Sequence, residues 1–333
     1  RSPAHAALVP LYLAGGMVAG WRGGLPRPDV VHVHWPMPHA LFGAAARAAS
    51  GGRTALVCSF YSVELTWVSR RLPWLTPFLR WSARTADAVT AISRSTAGLV
   101  RDLAGREAHV VPFAAAAGAG GGEGAAADAA PPLERRPGEP LRLLFVGRLV
   151  ERKGVEHLVR ALPAVARERR AELTVVGEGE WEPVIREAAR EAGVADAVRL
   201  TGYVDRETLE RLYAGADLFV LPAVVDRKGD TEGLGVVLLE AMRAGRPVIA
   251  SRVGGIPDIV EHGRSGWLVP PGDPGALADA ILRAAADPEA ARAVSREGRR
   301  RAVEDFSWEG ILDALEAAYE DAIAVRATSR GSR

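Results

Sequence analysis

Phe145-Val146-Gly147-Arg148-Leu149-Val150-Glu151-Arg152-Lys153-Gly154 reads as an apolar strand that stops at a glycine, a turn carrying cations, and a helix starting near Gly154. In open parallel sheets, ligands bind beyond the carboxyl ends of the strands. Gly147 lets a ligand approach the backbone there. Arg148 has the planar fork that grips phosphate oxygens in pairs, and Lys153 adds a mobile point charge. The competing reading is a solvated basic turn. Two nucleotide signatures are excluded: Lys153 is followed by glycine, not Ser or Thr, and Gly177-Glu178-Gly179 lacks the third glycine of a dinucleotide fingerprint.

The same alternation of strand and helix spreads outward from this stretch. Strand-like runs lie at 143–146, 173–176, 198–200, 218–221, 248–250 and 267–269, with helical stretches at 155–170, 180–192, 208–214 and 235–244 between them. Helices at 276–286, 288–305 and 308–325 close the chain. Upstream, 29–34, 53–60, 88–92 and 109–112 read as strands, and 38–48, 63–71, 73–84 and a stretch capped by Ser93 as helices. Strands alternating with helices predict parallel sheets covered on both faces. Between the two series, residues 114–140 are almost all Ala, Gly, Pro and charge, with Gly120-Gly121-Gly122 inside. Such a segment buries too little apolar area to order itself and reads as a linker. The organisation expected is therefore an N-terminal α/β domain at 1–113, a linker at 114–140, a fuller α/β domain at 141–306, and a C-terminal helix and tail at 307–333, with a ligand cleft between the domains.

Length and composition agree. The 333 residues suggest about two domains. At 48% hydrophobic and 25% charged residues, disordered and collagen-like chains are excluded. Lys plus Arg is 42 and Asp plus Glu 41, a net charge of +1. That balance offers no general attraction for nucleic acid, so no nucleic-acid partner is expected and any anionic ligand needs a local site. Cys58 alone permits neither an internal disulfide nor a cysteine zinc site. Because the first residue is Arg1 and not Met, processing or truncation of an upstream part is expected. The apolar run 6–21 is short for a membrane span and contains Pro10, Gly15, Gly16 and Gly20; it reads as part of a soluble domain.

The second informative stretch is Asp230-Thr231-Glu232-Gly233-Leu234-Gly235-Val236-Val237-Leu238-Leu239-Glu240-Ala241. Gly233 and Gly235 suit a tight backbone at a helix start, where free N–H groups and the helix dipole receive a diphosphate. At about 1.5 Å per helical residue, Glu232 and Glu240 stand about 12 Å apart. That is too far for a glycosidase pair, but it suits two ends of one long ligand. Glu240 sits among apolar residues and needs a partner. A ribose diol would supply one; a structural salt bridge or cap is the alternative for either glutamate.

Gly147-Arg148, Lys153-Gly154, Glu232-x7-Glu240, Gly245-Arg246-Pro247-Val248-Ile249-Ala250 and Gly254-Gly255-Ile256-Pro257-Asp258 together resemble family 4 of the GT-B glycosyltransferases. The resemblance runs from about Asp29 to Trp308. It implies two Rossmann-like doubly wound domains and a retaining, nucleotide-sugar-dependent reaction without a metal or other cofactor. It further implies that Arg148 and Lys153 hold the donor diphosphate, that Glu232 meets the donor sugar near the reacting carbon, and that Glu240 binds the ribose hydroxyls. The backbone at Gly233, Leu234 and Gly235 would meet phosphate and sugar, and Gly202-Tyr203-Val204 would lie beside the nucleobase. His32 and His34 share a strand face, but two histidines make a poor metal site and structural packing is preferred.

The first domain departs from the family pattern. Where relatives carry His-Gly and then an acid, this chain has Tyr61, Ser62 and Glu64; Pro112-Phe113-Ala114 replaces Pro-Asn-Gly. The family's opening strand and glycine-rich loop would precede Arg1. His34, Tyr61 and Glu64 are the candidates on the acceptor side. Trp74, Phe78 and Trp81 recur at helical spacing beside Arg70, Arg71, Arg80 and Arg84. A core-facing helix with a solvated basic face is the preferred reading, and a peripheral membrane contact is the other. The function expected is transfer of a sugar to a glycan or lipid-linked acceptor, in the cytoplasm or on its membrane face. The alternative is a catalytically impaired, donor-binding partner subunit. An epimerase or a phosphorylase of the same fold fits the second-half motifs poorly.

Overall fold

The computed structural model describes residues 8–114 and 138–331. The expected linker therefore lies almost wholly outside the described residues. Two compact units emerge, one formed by residues up to 112 together with those from 311 onward, the other by 113–310.

The first unit opens with helix α1 (Val9–Gly24), in the apolar run before the first strand. It is followed by β1 (Val30–His34), α2 (Pro36–Ala49), β2 (Ala55–Phe60), α3 (Val63–Arg71), a 3₁₀ turn at Pro73–Leu75, α4 (Thr76–Thr85), β3 (Ala88–Ala91), α5 (Arg94–Ala104) and β4 (His109–Val110). The strands pair in parallel in the order β1-β2-β3-β4, with His34 beside Ser59 and Ser59 beside Thr90. α1 lies against α2 because two glycines permit it. A Cβ at Gly20 would stand 2.3 Å from the Phe42 carbonyl oxygen, and one at Gly24 2.0 Å from that of Ala46. The β2 and β3 strands are buried along their whole length. Leu56, Cys58, Phe60, Leu65, Val68, Leu79, Ala83, Val89 and Val100 form one core. As expected, the Ser93 hydroxyl caps α5, accepting from the Thr96 N–H at 3.1 Å.

One expectation fails here. α4 buries Leu79, Ser82 and Ala83. On a helix of 3.6 residues per turn that stripe turns positions 77, 80, 81 and 84 outward. Trp74 and Trp81 are exposed, not in the core. Small side chains at 82 and 83 let the helix settle close to its neighbours, leaving no room for indoles beneath it.

The second unit holds β5 (Leu141–Val146), a 3₁₀ turn at Glu151–Lys153, α6 (Val155–Glu168), β6 (Ala171–Val176), α7 (Glu182–Glu191), β7 (Val198–Gly202), α8 (Arg206–Gly215), β8 (Leu218–Leu221), α9 (Val236–Arg243), β9 (Val248–Ser251), α10 (Ile256–Ile259) and β10 (Trp267–Val269). Helices α11 (Pro274–Ala286) and α12 (Pro288–Val303) complete it. The six strands are parallel in the order β10-β9-β8-β5-β6-β7. From β5 the chain winds outward through β6 and β7, then returns to β5's other side at β8. The order thus reverses between β5 and β8, where crevices form beyond the carboxyl ends of such strands. Asp205, Asp273 and Asp287 cap α8, α11 and α12.

The last helix, α13 (Trp308–Gly331), packs on the first unit from Ile311 onward. Ala322 and Tyr319 join Ala55, Val57 and Ala88 in a second small core. Asp87 ties this helix down. Its carboxylate accepts from Arg326 at 2.5 Å, from Arg47 at 2.6 Å and from the Leu56 N–H at 2.8 Å.

Candidate functional site

The loops after β5 and β8 meet at the switch point of the second sheet. Gly154 makes this possible: at φ +63° it ends the 3₁₀ turn, and a Cβ there would lie 2.1 Å from the Pro222 carbonyl oxygen. The Val224 N–H donates to the Arg152 carbonyl at 2.9 Å, fixing one loop on the other. The side chain of Lys153 is consequently buried, and its Nζ donates to Glu232 Oε2 at 2.5 Å. Arg152 Nη1 donates to the same oxygen at 3.2 Å, and its Nε stands 3.7 Å from Asp230 Oδ2.

Glu232 is thus a buried carboxylate between two cations. Burial alone would raise its pKa. The Lys153 ammonium, the Arg152 guanidinium and their hydrogen bonds outweigh that, and the pKa is lowered. Its backbone is pinned as well. The Gly255 N–H donates to the Glu232 carbonyl at 3.0 Å, and a Cβ at Gly254 would come within 2.0 Å of that oxygen. The Gly254-Gly255 pair is therefore a backbone clamp on the Glu232 loop. Leu234 is buried, and Gly235, at φ +93°, is the N-cap residue of α9 with no side-chain cap.

Arg148 is exposed and makes no ion pair or side-chain hydrogen bond among the described residues. Glu240, on α9, accepts a hydrogen bond from the Tyr213 hydroxyl at 2.9 Å through Oε2. Its pKa is raised, chiefly by burial, against the lowering effects of that hydrogen bond and of the Lys153 charge. The partner it needed is thus supplied in part by the protein; Oε1 keeps its acceptor capacity. Because α9 begins only at Val236, the helical rise does not extend back to Glu232, and the 12 Å separation of the glutamates loses its basis. Gly202 and Tyr203 lie at the end of β7. The Gly177 N–H donates to the Gly202 carbonyl at 2.9 Å, the Tyr203 N–H to Glu178 Oε1 at 3.3 Å, and the Tyr203 ring is 83% exposed. Val204 follows, half-buried.

Two participants escaped the sequence reading. Arg152 shares the turn with the residues singled out, yet only the fold shows which of its cations turn inward. Tyr213 lies 27 residues before Glu240 and carried no local signal.

A second constellation belongs to the first unit. His34 Nδ1 is hydrogen-bonded to the Tyr61 hydroxyl, and Glu64 Oε1 accepts from the Tyr61 N–H at 2.6 Å. The structure thus joins all three residues named from the sequence. It adds Trp35, stacked on Tyr61 at 4.9 Å with 23° between the planes. Glu64 Oε2 is buried without a hydrogen-bond partner. Burial pushes its carboxyl up to about 7, against the lowering effect of backbone N–H groups. His32 has both ring nitrogens occupied, with Tyr319 at 2.9 Å and Ser59 at 2.6 Å. Burial, then the neighbouring His34, lowers its pKa to about 4, so it packs as a neutral ring. No group of three or more metal-ligating side chains gathers among the described residues.

Comparison with known proteins gives one direction. The family described as Glycosyltransferase Family 4 matches residues 7–114, and that described as Glycosyl transferases group 1 matches residues 140–287. The chain is 34% identical over 284 residues to a GDP-mannose-dependent alpha-(1-6)-phosphatidylinositol monomannoside mannosyltransferase of Mycobacterium tuberculosis, covering 82% of this chain and 73% of the relative. It is 40% identical over 146 residues to the amylovoran biosynthesis glycosyltransferase AmsK of Erwinia amylovora, 44% of this chain but only 36% of that relative's length. Among solved structures, the sucrose-phosphate synthase of Thermosynechococcus elongatus superposes with a TM-score of 0.70 at 27% identity, covering 89% of this chain and 74% of that one.

Proposed function

The chain belongs to glycosyltransferase family 4 and has the GT-B fold, and from that premise we propose that it moves a sugar, with retention, from a nucleoside-diphosphate sugar to a hydroxyl of a glycan or lipid-linked acceptor. The observation that carries this reading is the Glu232 carboxylate held by Lys153 and Arg152 at the switch point of the second sheet. Arg148, unengaged at the same strand end, completes a cationic seat for a diphosphate. Glu240 Oε1 accepts from a ribose hydroxyl while Tyr213 orients the carboxylate. The mannosyltransferase relative supports a nucleotide-linked donor and a lipid-borne acceptor by its own specificity.

In the proposed reaction the bond between the sugar's anomeric carbon and the diphosphate oxygen breaks. The acceptor oxygen bonds to that carbon from the same face, and its proton passes to the departing diphosphate. Lys153 and Arg148 offset the charge that develops on the leaving group, the role a metal fills elsewhere, and such preorganised charge is the largest single contribution in many enzymes. Glu232 holds Lys153 in place and faces the donor sugar.

Titration calorimetry with UDP, GDP and ADP tests the donor site. One nucleotide is expected to bind, Glu240→Ala to abolish that binding, and Tyr213→Phe to weaken it about fivefold, the worth of one hydrogen bond. A folded protein that binds none of the three overturns the reading.

A further inference from the structure

We propose that the second unit carries a separate binding site for a sugar phosphate, in a cavity under α8 at the amino-terminal ends of β5, β6 and β7. This site does not depend on the reaction proposed above. The cavity holds about 540 Å³, within the range of about 300–1,000 Å³ usual for small-molecule sites. It starts at Arg142, near the beginning of β5 and five residues before Gly147. At about 3.3 Å per strand residue, that is about 16 Å from the strand end where Arg148, Lys153 and Glu232 gather.

The cavity accounts for a pattern in the strands. A parallel strand covered on both faces is apolar throughout. Here β5 reads Leu-Arg-Leu-Leu-Phe-Val, β6 Ala-Glu-Leu-Thr-Val-Val and β7 Val-Arg-Leu-Thr-Gly. The register sets Arg142 beside Glu172 and Thr174 beside Arg199, so these polar residues share one face of the sheet. Leu141, Leu143 and Leu173, on the other face, are buried. α8 lies over the polar face without sealing it. Of its ten residues only Tyr213 is buried, with its hydroxyl engaged by Glu240. Arg211, Leu212 and Gly215 of that helix form the outer wall of the cavity.

The lining selects the chemistry of the ligand. The guanidinium groups of Arg142, Arg199 and Arg211 line the space together with the carboxylates of Glu172 and Asp196. Arg211 Nη2 donates to the Thr208 hydroxyl at 2.9 Å, which steadies it. Glu172 Oε1 accepts from Arg170 Nη2 at 3.1 Å. The side chains of Arg142, Arg199 and Asp196 make no hydrogen bond or ion pair among the described residues. Guanidinium forks bind phosphate oxygens in pairs. Carboxylates repel a bare anion but accept from hydroxyl groups. A lining that mixes the two therefore fits one molecule bearing both a phosphate and several hydroxyls. Leu144, Leu212 and Ala216 add an apolar wall for the C–H face of a sugar ring.

Titration calorimetry on the full chain with glucose 6-phosphate, mannose 6-phosphate and fructose 6-phosphate tests the site, with glucose and inorganic phosphate as controls. At least one sugar phosphate is expected to bind more than about tenfold tighter than inorganic phosphate, and glucose is expected not to bind. Arg142→Ala/Arg199→Ala is expected to lose more than about tenfold in that affinity, the worth of one hydrogen bond to a charged group. Glu172→Ala/Asp196→Ala is expected to bind the sugar phosphate more weakly and inorganic phosphate no more weakly, a split that general loss of structure does not produce. Arg148→Ala, at the other end of the sheet, is expected to leave the binding unchanged. Unchanged circular dichroism shows that each variant is folded. Binding of none of the three sugar phosphates overturns the proposal. So does inorganic phosphate bound as tightly as they are, or binding that survives in Arg142→Ala/Arg199→Ala and disappears in Arg148→Ala.

Discussion

Glu232 shows how two opposed effects are decided at a single residue. Burial pushes its carboxyl toward the neutral form, and the adjacent Lys153 and Arg152 charges pull it to the ionised form and win. A glutamate whose folded pKa is depressed contributes stability above its unfolded pKa, and that contribution is lost as pH falls through the depressed value. The same ion pair positions Lys153 and offsets part of the charge it presents to a phosphate. Replacing Glu232 with Gln frees the lysine while removing the charge that faces the sugar. The expected outcome is a kcat lowered by about 10²–10³, with free nucleoside diphosphate bound as tightly as in wild type or more tightly. Steady-state kinetics and titration of the variant decide it: unaltered kcat with weakened nucleotide binding would remove Glu232 from the reaction and leave it a structural clamp.

At the scale of elements, the strand ends of the first unit concentrate unusual backbone. Trp35 follows β1 at φ +57° and Ser62 follows β2 at φ +77°, values that cost a non-glycine residue about 1–3 kcal/mol each. Trp35 stacks on Tyr61, and Ser62 lies between Tyr61 and Glu64, so both unusual residues sit within the constellation at the head of α3. Glu64 there binds a proton more readily in the folded state, with a pKa of about 7. Its stabilisation is complete below the unfolded glutamate pKa and is lost as pH rises through about 7. Chemical denaturation is expected to show the first unit weakening by a few kcal/mol between about pH 4.5 and 8, and Glu64→Gln to flatten that slope; an identical slope in the variant refutes the assignment. Much of this layer was legible beforehand. The strands at Leu218–Leu221 and Trp267–Val269 fall where the alternation places them, and each parallel strand needs its intervening helix. The direction of α4 was not legible, because three aromatics at helical spacing mark a face without saying what lies under it. Nor was the Tyr213–Glu240 pair, whose members come together only when β8 forms between them.

For the whole molecule, the decisive residue is Asp87. It is 5% exposed and receives guanidinium groups from α2 and from α13, the latter 239 residues away along the chain. No periodicity announces such a contact. Removing one partner of a buried ion pair costs about 3–5 kcal/mol, so Asp87→Ala is expected to lower the first unit's unfolding free energy by that order while nucleotide binding in the second unit persists. A loss confined to the second unit in thermal and denaturant melts would contradict it. α13 has a further consequence. The chain leaves the first unit near residue 112 and comes back to it near 311. If the polypeptide is supplied as two pieces divided between β4 and β5, the carboxyl-terminal piece still carries the helix that docks through Tyr319, Ala322 and Arg326. The two pieces then share one folded body without a covalent link, and the molecule lends itself to fragment complementation, in which the reunion of two inert halves reports on whatever brings them together.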